Sequence, residues 1–270
     1  MTDARADPEP YRGNPEERRP DTMTGAPHAS EPPRPLGDSG LQSQTLESVA
    51  SAVNYHAWLT DLARPHLGDH PLELGSGLGD YCQIWLTQGL PEITVTEADP
   101  DRLGILRARF AGDHRVHVQG IDVLRPTPAE HSAFVAFNVL EHIPDHVRAL
   151  EAAHVLLNPG GRVVLFVPAF EVAMSRFDRE VGHVRRYTKK SLRDAMTAAG
   201  LVVDEVRYVD IPGLLAWFVG MRLFGMTPGD GRLLSVWDRG VIPMTRWLES
   251  RIRAPFGKSV FAVGHVPGVA

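Results

Sequence analysis

The chain of 270 residues holds a single cysteine, Cys82, so no internal disulfide can form. That usage fits a reducing compartment. Lysine is nearly as scarce. Of the 28 basic residues only Lys189, Lys190 and Lys258 are lysines, and no long basic run occurs. At a net charge of −5 the chain lacks an electrostatic footprint for nucleic acid. No apolar run reaches the roughly 18 residues expected of a membrane span. The longest candidate, residues 211–226, is interrupted by Arg222. The N-terminus lacks the charged-then-apolar order of a signal peptide. These absences predict a soluble cytoplasmic protein with no integral membrane span and no nucleic-acid partner.

Residues 1–40 are rich in Pro, Asp, Glu, Arg, Ser and Thr and nearly devoid of large apolar side chains. Such a segment buries too little surface to offset its ordering entropy, which predicts a disordered tail. A helical cover is predicted over 41–70. There Leu46, Val49, Val53, Ala57 and Leu62 recur at helical spacing, with Tyr55 and Trp58 adding bulk. From 71 to 210 strands alternate with helices, and a last strand with its tail follows at 258–270. The strand-like runs are "PLEL", "EITVTEAD", "RVHVQGID", "AFVAFNVL", "RVVLFVPAF", "LVVDEVRYVD" and "KSVFAVGHV". This rhythm predicts an α/β fold: a doubly wound, mostly parallel seven-stranded sheet with helices on both faces. Between 211 and 257 lies an apolar, helical insertion with expected breaks at Pro212, "TPGDG" and Pro243.

The first strand runs into "LELGSGLGD", which carries Gly75, Gly77 and Gly79. A strand, a glycine turn and a helix bring a nucleotide-like ligand against backbone N–H groups. A dinucleotide fingerprint would need its third glycine at position 80, where this chain has Asp80. Taken alone, the cluster is equally an ordinary tight turn. Three carboxyl-end positions narrow that reading. Glu97 ends the second strand, where a carboxylate can accept both hydroxyls of a ribose, although taken alone it reads as a solvated strand end. Asp122 ends the third, placed either to accept from a purine amine or to serve as a plain loop carboxylate. Asp99 is expected to cap the helix opened by Pro100. In open α/β sheets this edge is where ligands bind.

Together "LELGSGLGD", "VTEADP", "GIDVL", "FNVLEHIPD" and "LNPGGRVVLFVPAF" resemble the class I S-adenosylmethionine-dependent methyltransferases, over roughly residues 50–210. "NVLEHI" points to the branch that includes small-molecule and quinone-biosynthesis enzymes. The resemblance implies a Rossmann-like methyltransferase sheet and S-adenosylmethionine as cofactor, with S-adenosylhomocysteine as product. It places Glu73, Gly75, Gly77 and Gly79 along the methionine and ribose portion. Glu97, with Ala98, falls at the ribose, Ile121 and Asp122 at adenine, and Asn138 and Val139 under the sulfonium. Ala133 stands where the family often has Asp, so any role of that carboxylate is absent.

On the acceptor side the resemblance marks His183, in "GHVRRYTKKSL", and His142, in "LEHI", as candidate catalytic groups. Each is otherwise a hydrogen-bonded loop histidine. Glu141 is expected to pair with Arg185 or Arg186. Tyr55, Tyr187 and Trp217 are candidates to line an acceptor pocket, Tyr187 being more readily read as core, with Trp237 and Trp247 on the inner face of the insertion. The same apolar segment would alternatively serve packing or a homo-oligomer contact. No metal is expected. The implied activity is methyl transfer by in-line displacement to a small, apolar metabolite or natural product, at O, N or C. Alternatives keep the cofactor pocket for methylation-triggered cyclisation or other sulfonium chemistry, or make the chain a silent scaffold. The carboxylate cluster that aminopropyl transfer needs is absent from "FNVLEHI".

Overall fold

The computed structural model describes residues 36–223 and 231–268. Most of the predicted 1–40 tail lies outside them, and its last two residues already belong to a helix. Helix α1, Ser39–Val49, is started by Asp38, whose side chain accepts a hydrogen bond from the Leu41 N–H. None of its residues is fully buried. Helix α2, Val53–Ala63, follows as a separate element, and its buried side includes Trp58 and Leu59. A distant carboxylate caps α2: Asp238 accepts from the N–H groups of Asn54 and Tyr55 at 3.0 and 2.8 Å.

The seven predicted strands are all present. They are β1 Leu72–Leu74, β2 Ile93–Thr96, β3 Val116–Gln119, β4 His131–Phe137, β5 Leu157–Pro168, β6 Val202–Val209 and β7 Ser259–His265. They form one sheet in the order β3-β2-β1-β4-β5-β7-β6. All neighbours are parallel except β7, which runs antiparallel to both β5 and β6. In β4 the side chains of Phe134 and Ala136 enter one core layer and those of Ala133, Val135 and Phe137 the other. Both faces are buried, as the near-continuous apolar strands require. One layer takes Ala149 to Leu156 and Leu192 to Ala199. The other takes Trp58, Trp85, Leu106 and Ile242.

Between them lie α3 Asp80–Thr87, α4 Pro100–Arg109, α5 His146–Glu151, α6 Ala153–Leu156, α7 Arg176–Glu180 and α8 Lys189–Ala198. Asp99 caps α4 through the N–H groups of Asp101 and Arg102, as its position predicts. The insertion departs from expectation. Pro212 sits in the first turn of α9, Ile211–Trp217, and starts that helix rather than breaking one. A π-helical segment, Phe218–Leu223, continues it. Pro243 lies inside α10, Gly231–Glu249, and does not end it. The inward row of Asp238, Ile242, Thr245 and Glu249 holds that helix in place at helical spacing. Trp247, expected on the inner face, is instead 57% exposed. Most of the "TPGDG" turn lies outside the described residues.

All three glycines of the first turn have positive φ: 65° at Gly75, 57° at Gly77 and 85° at Gly79. A Cβ on Gly79 would sit 2.6 Å from the Phe110 ring and 2.9 Å from Leu106. That glycine lets α3 close onto the end of α4. Gly79→Ala is expected to cost about 2 kcal/mol or more, from left-handed strain plus overpacking. Urea unfolding measures it, and a variant as stable as wild type would refute the clash.

Candidate functional site

The strand order reverses between β1 and β4, and loops leaving their carboxyl ends part there. A cavity of about 1040 Å³ opens at that point, walled by α1, the glycine turn, the loops after β2, β3 and β4, residues 213–220 and the 234–242 part of α10.

The cofactor-side wall is built from backbone. The Ser76 N–H donates to the Thr96 carbonyl at 2.7 Å, and the Ser76 hydroxyl accepts from the Thr96 N–H at 3.2 Å. These bonds tie the glycine turn to the end of β2. One residue further, the Gly77 N–H donates to Glu97 Oε2 at 3.0 Å. Glu97 Oε1 accepts from the Ala98 and Asp99 N–H groups, both at 2.9 Å, and from Arg102 at 3.3 Å. Arg102 also reaches Gln42 and Ser43 on α1, so it joins that helix to the carboxylate. Gly75, Gly77, Glu97, Ala98, Ile121 and Asp122 all line the cavity. Asp122 accepts from the Leu124 N–H at 3.0 Å, which shapes its loop. Asn138 and Val139 line it too, with Asn138 at a φ of 53°. Asn is among the few side chains that tolerate that region.

Two predicted residues in this wall are displaced from it. Glu73 does not line the cavity. It is 2% exposed beneath the turn, and burial pushes its carboxyl up to about 8, opposed by the Ser76 hydroxyl. Leu72 and Leu74 enter one core layer, so the alternation of the strand turns Glu73 to the opposite, equally buried face of the sheet. Gly79 also lies off the cavity, for the packing reason given above.

Across the cavity stands a relay of charged groups. Buried Asp178, on α7, accepts at one oxygen from the Ser175 N–H and hydroxyl, both at 2.6 Å. At the other it meets His183 Nδ1 at 2.8 Å and the Arg186 guanidinium at 2.7 Å. Burial alone would raise the Asp178 carboxyl, but His183, Arg186 and Ser175 outweigh it and hold it well below the usual range. An ionised carboxylate only accepts, so Nδ1 of His183 carries the hydrogen and Nε2 is left as the basic nitrogen. The His142 ring meets that of His183 edge-on, with centroids 4.6 Å apart. Burial, then the neighbouring His183 and Arg102, pushes His142 down to about 3, so it stays neutral. Both histidines line the cavity, as do Tyr55 and Trp217. Trp217 is fixed by its indole N–H, which donates to the Ala173 carbonyl at 3.2 Å, and by Arg186 stacked 4.9 Å from its ring.

Tyr187 is not at the cavity. It is 1% exposed, and its hydroxyl meets His146 Nδ1 at 2.9 Å. Glu141 pairs with neither expected arginine: Arg186 serves Asp178, and Arg185 donates to the carbonyls of Ile143 and Pro144. Both Glu141 oxygens are buried without a hydrogen bond, and the nearer lies 3.9 Å from His183 Nε2. Burial pushes its carboxyl up to about 7, against the pull of His183. Glu141, His142 and His183 present ligand atoms within 4.8 Å of one another, close enough to share a cation. Arg102 and Asp178 went unmarked in the sequence. The run "DREVGHVRR" held the signal, with Asp, His and Arg inside nine residues.

A family model described as a methyltransferase domain matches residues 47–206. The chain belongs to the methyltransferase-domain family. The ubiquinone biosynthesis O-methyltransferase of Xylella fastidiosa (strain 9a5c) is 32% identical over 119 residues, 42% of this chain and 46% of that protein. Its counterpart in Aeromonas salmonicida (strain A449) is 27% identical over 113 residues, 40% of this chain and 47% of that one. The chain therefore spans about half the length of the curated relatives it matches. Among solved structures, the 4+2 cyclase SpnF superposes with a TM-score of 0.56 at 17% identity, over 88% of this chain and all of that one. A geranyl diphosphate methyltransferase in complex with GPP and sinefungin gives 0.54 at 16%, over 77% and 78%. These likenesses show the fold, that of the class I S-adenosylmethionine-dependent methyltransferases. Among the described residues of this methyltransferase domain, no helix is long and apolar enough to cross a membrane.

Glu141 makes stability depend on pH. From 4.5 to about 7 the folded domain keeps this proton while the unfolded chain has lost it, so stability falls as pH rises through that window. Glu141→Gln is expected to gain up to about 3 kcal/mol over wild type at about pH 8 and far less at about pH 5. Urea unfolding at both values is the measurement, and a pH-independent difference would contradict a buried protonated acid.

Proposed function

We propose that the chain binds S-adenosylmethionine between the glycine turn and Glu97 and moves its methyl group to a hydroxyl of a small, largely apolar acceptor. The observation that carries this reading is that the Asp178–His183 pair opens onto the same cavity as Glu97 and the turn. The residues present fit the cofactor. A Cβ at Gly75 would collide with Val139 at 2.7 Å, so the turn leaves backbone rather than side chain facing the space. Glu97 Oε2 is engaged by one donor only and keeps capacity for hydroxyls. The relatives named as O-methyltransferases support the choice of oxygen.

The cofactor, when bound, supplies an already activated methyl group. The chain's own residues align and exclude water, which accounts for much of the acceleration. His183 Nε2 takes the hydroxyl proton as the acceptor attacks, and Asp178 holds the ring in the tautomer that leaves this nitrogen basic. Arg186 and Ser175 keep Asp178 ionised. His142, neutral and edge-on to His183, steadies that ring and is too weak a base to act itself. Tyr55 and Trp217, with Trp237 and Leu234 of the 211–257 segment, cover the acceptor.

Calorimetry with S-adenosylhomocysteine tests the cofactor half: micromolar binding or better is expected, and its absence sinks the reading. Glu97→Ala should weaken that affinity by roughly 1.5–3 kcal/mol, the range for lost charge-assisted hydrogen bonds. The acceptor half is tested by release of S-adenosylhomocysteine from S-adenosylmethionine across a panel of phenols and apolar alcohols. For an accepted compound His183→Ala should lower turnover by roughly 10²–10⁴ while cofactor affinity is unchanged. Undiminished turnover removes His183 from the chemistry.

A further inference from the structure

Lys258 is the one lysine of this lysine-poor chain that lies off the surface. Lys189 and Lys190 are exposed at the start of α8, Lys190 paired with Asp194 and Lys189 over the Tyr208 ring. Lys258 immediately precedes β7. Its N–H donates to the Asp210 carbonyl at 2.8 Å and its carbonyl accepts from the Ala169 N–H at 2.8 Å. Those bonds clamp its backbone between the ends of β5 and β6. Its side chain lines the cavity, with Nζ 5.2 Å from the centre of the Tyr55 ring and 5.7 Å from that of Trp217.

Three arginine or lysine side chains line the cavity. Arg102 is bound to Glu97 at 3.3 Å and Arg186 to Asp178 at 2.7 Å. Among the described residues Lys258 Nζ alone of the three makes neither a hydrogen bond nor an ion pair. Two aromatic faces attract a cation through their quadrupoles but provide no strong acceptor for its N–H groups. Asp210 attracts the ammonium from beyond ion-pair distance, and its carboxylate is directed instead to the Gly213 N–H at 2.9 Å. Burial lowers the Lys258 pKa, and it raises that of Asp210 against the pull of Lys258. Asp178 attracts it from further off as well, so the cavity holds a cation with no carboxylate in hydrogen-bond or ion-pair contact.

We propose that this end of the cavity binds an anionic group of the acceptor, a carboxylate or a phosphate monoester, on Lys258 Nζ between Tyr55 and Trp217. The inference rests on the reading above that the opposite end takes the cofactor. It makes the acceptor an amphiphile, with an acid at Lys258 and an apolar body along Trp237, Leu234 and Ile242. An incoming anion would meet a half-buried cation in a largely apolar setting, where a charged hydrogen bond is stronger than in bulk water.

Octanoate, octyl phosphate and octan-1-ol, matched in tail, are the probes. Calorimetry on the full chain, with and without saturating S-adenosylhomocysteine, should show one of the two anions binding roughly ten-fold or more tightly than the alcohol. Which anion leads separates carboxylate from phosphate. Lys258→Met, which keeps the aliphatic stem, should erase the preference and leave affinity for the alcohol and for S-adenosylhomocysteine unchanged. Lys258→Arg should retain the preference. Equal binding of all three probes by wild type, or a preference that survives in Lys258→Met, overturns the proposal. Titrations without the cofactor product judge Lys258 even if S-adenosylhomocysteine does not bind, which would defeat the cofactor reading separately.

Discussion

The hydrogen bond from the Gly77 N–H to Glu97 joins two elements that the rest of the cavity is built around. It requires a backbone amide turned toward the sheet edge, which the left-handed conformation at Gly77 supplies. It also requires a carboxylate held at the end of β2, which the Ala98 and Asp99 amides fix in place. Once that carboxylate is set, Arg102 has a partner, and through Arg102 the N-terminal helix acquires a polar anchor. Turn, strand end and outer helix are therefore positioned by one acid group.

Asp178 plays the corresponding part on the far wall. A fully buried carboxylate is strongly unfavourable unless paired and hydrogen-bonded. Here five donor groups from Ser175, His183 and Arg186 converge on its two oxygens. Glu141, a short distance away, is buried without any such bond and is pushed toward its neutral form. Two buried acids side by side are driven to opposite protonation states by the number of donors each has gathered. His183 lies between them.

Much of the fold was legible because its signals are local. The strand rhythm, the glycine turn and the cap at Asp99 each depend on residues close in sequence, and each element formed as read. What escaped depends on distant partners. Gly79 was read as ligand-facing, yet its neighbours are Phe110 and Leu106 on another helix. Tyr187 was a candidate for the acceptor pocket or for the core, and its 1% exposure puts it in the core. Pro243 lies in α10 because an inward row of four residues outweighs one missing N–H. The pairings of Arg186 with Asp178 and of Arg102 with Glu97 follow from where the chain folds back, which composition and spacing do not record. Lys258 stood out in the sequence only by its rarity, and its meaning came from the two aromatic rings that flank it.

Helix α1 walls the cavity while burying none of its residues fully. It is retained by polar contacts: Ser39 to Asp99, Gln42 to the Val181 carbonyl, and Arg102 to Gln42 and Ser43. Such contacts exchange with water at little net cost, whereas separating sheet strands exposes a continuous core. The element that walls this side of the chamber is thus set apart from the continuous core of the sheet. A ligand that enters past α1 need not disturb the sheet, because that helix is tied to the cavity by side-chain hydrogen bonds and not by strand pairing.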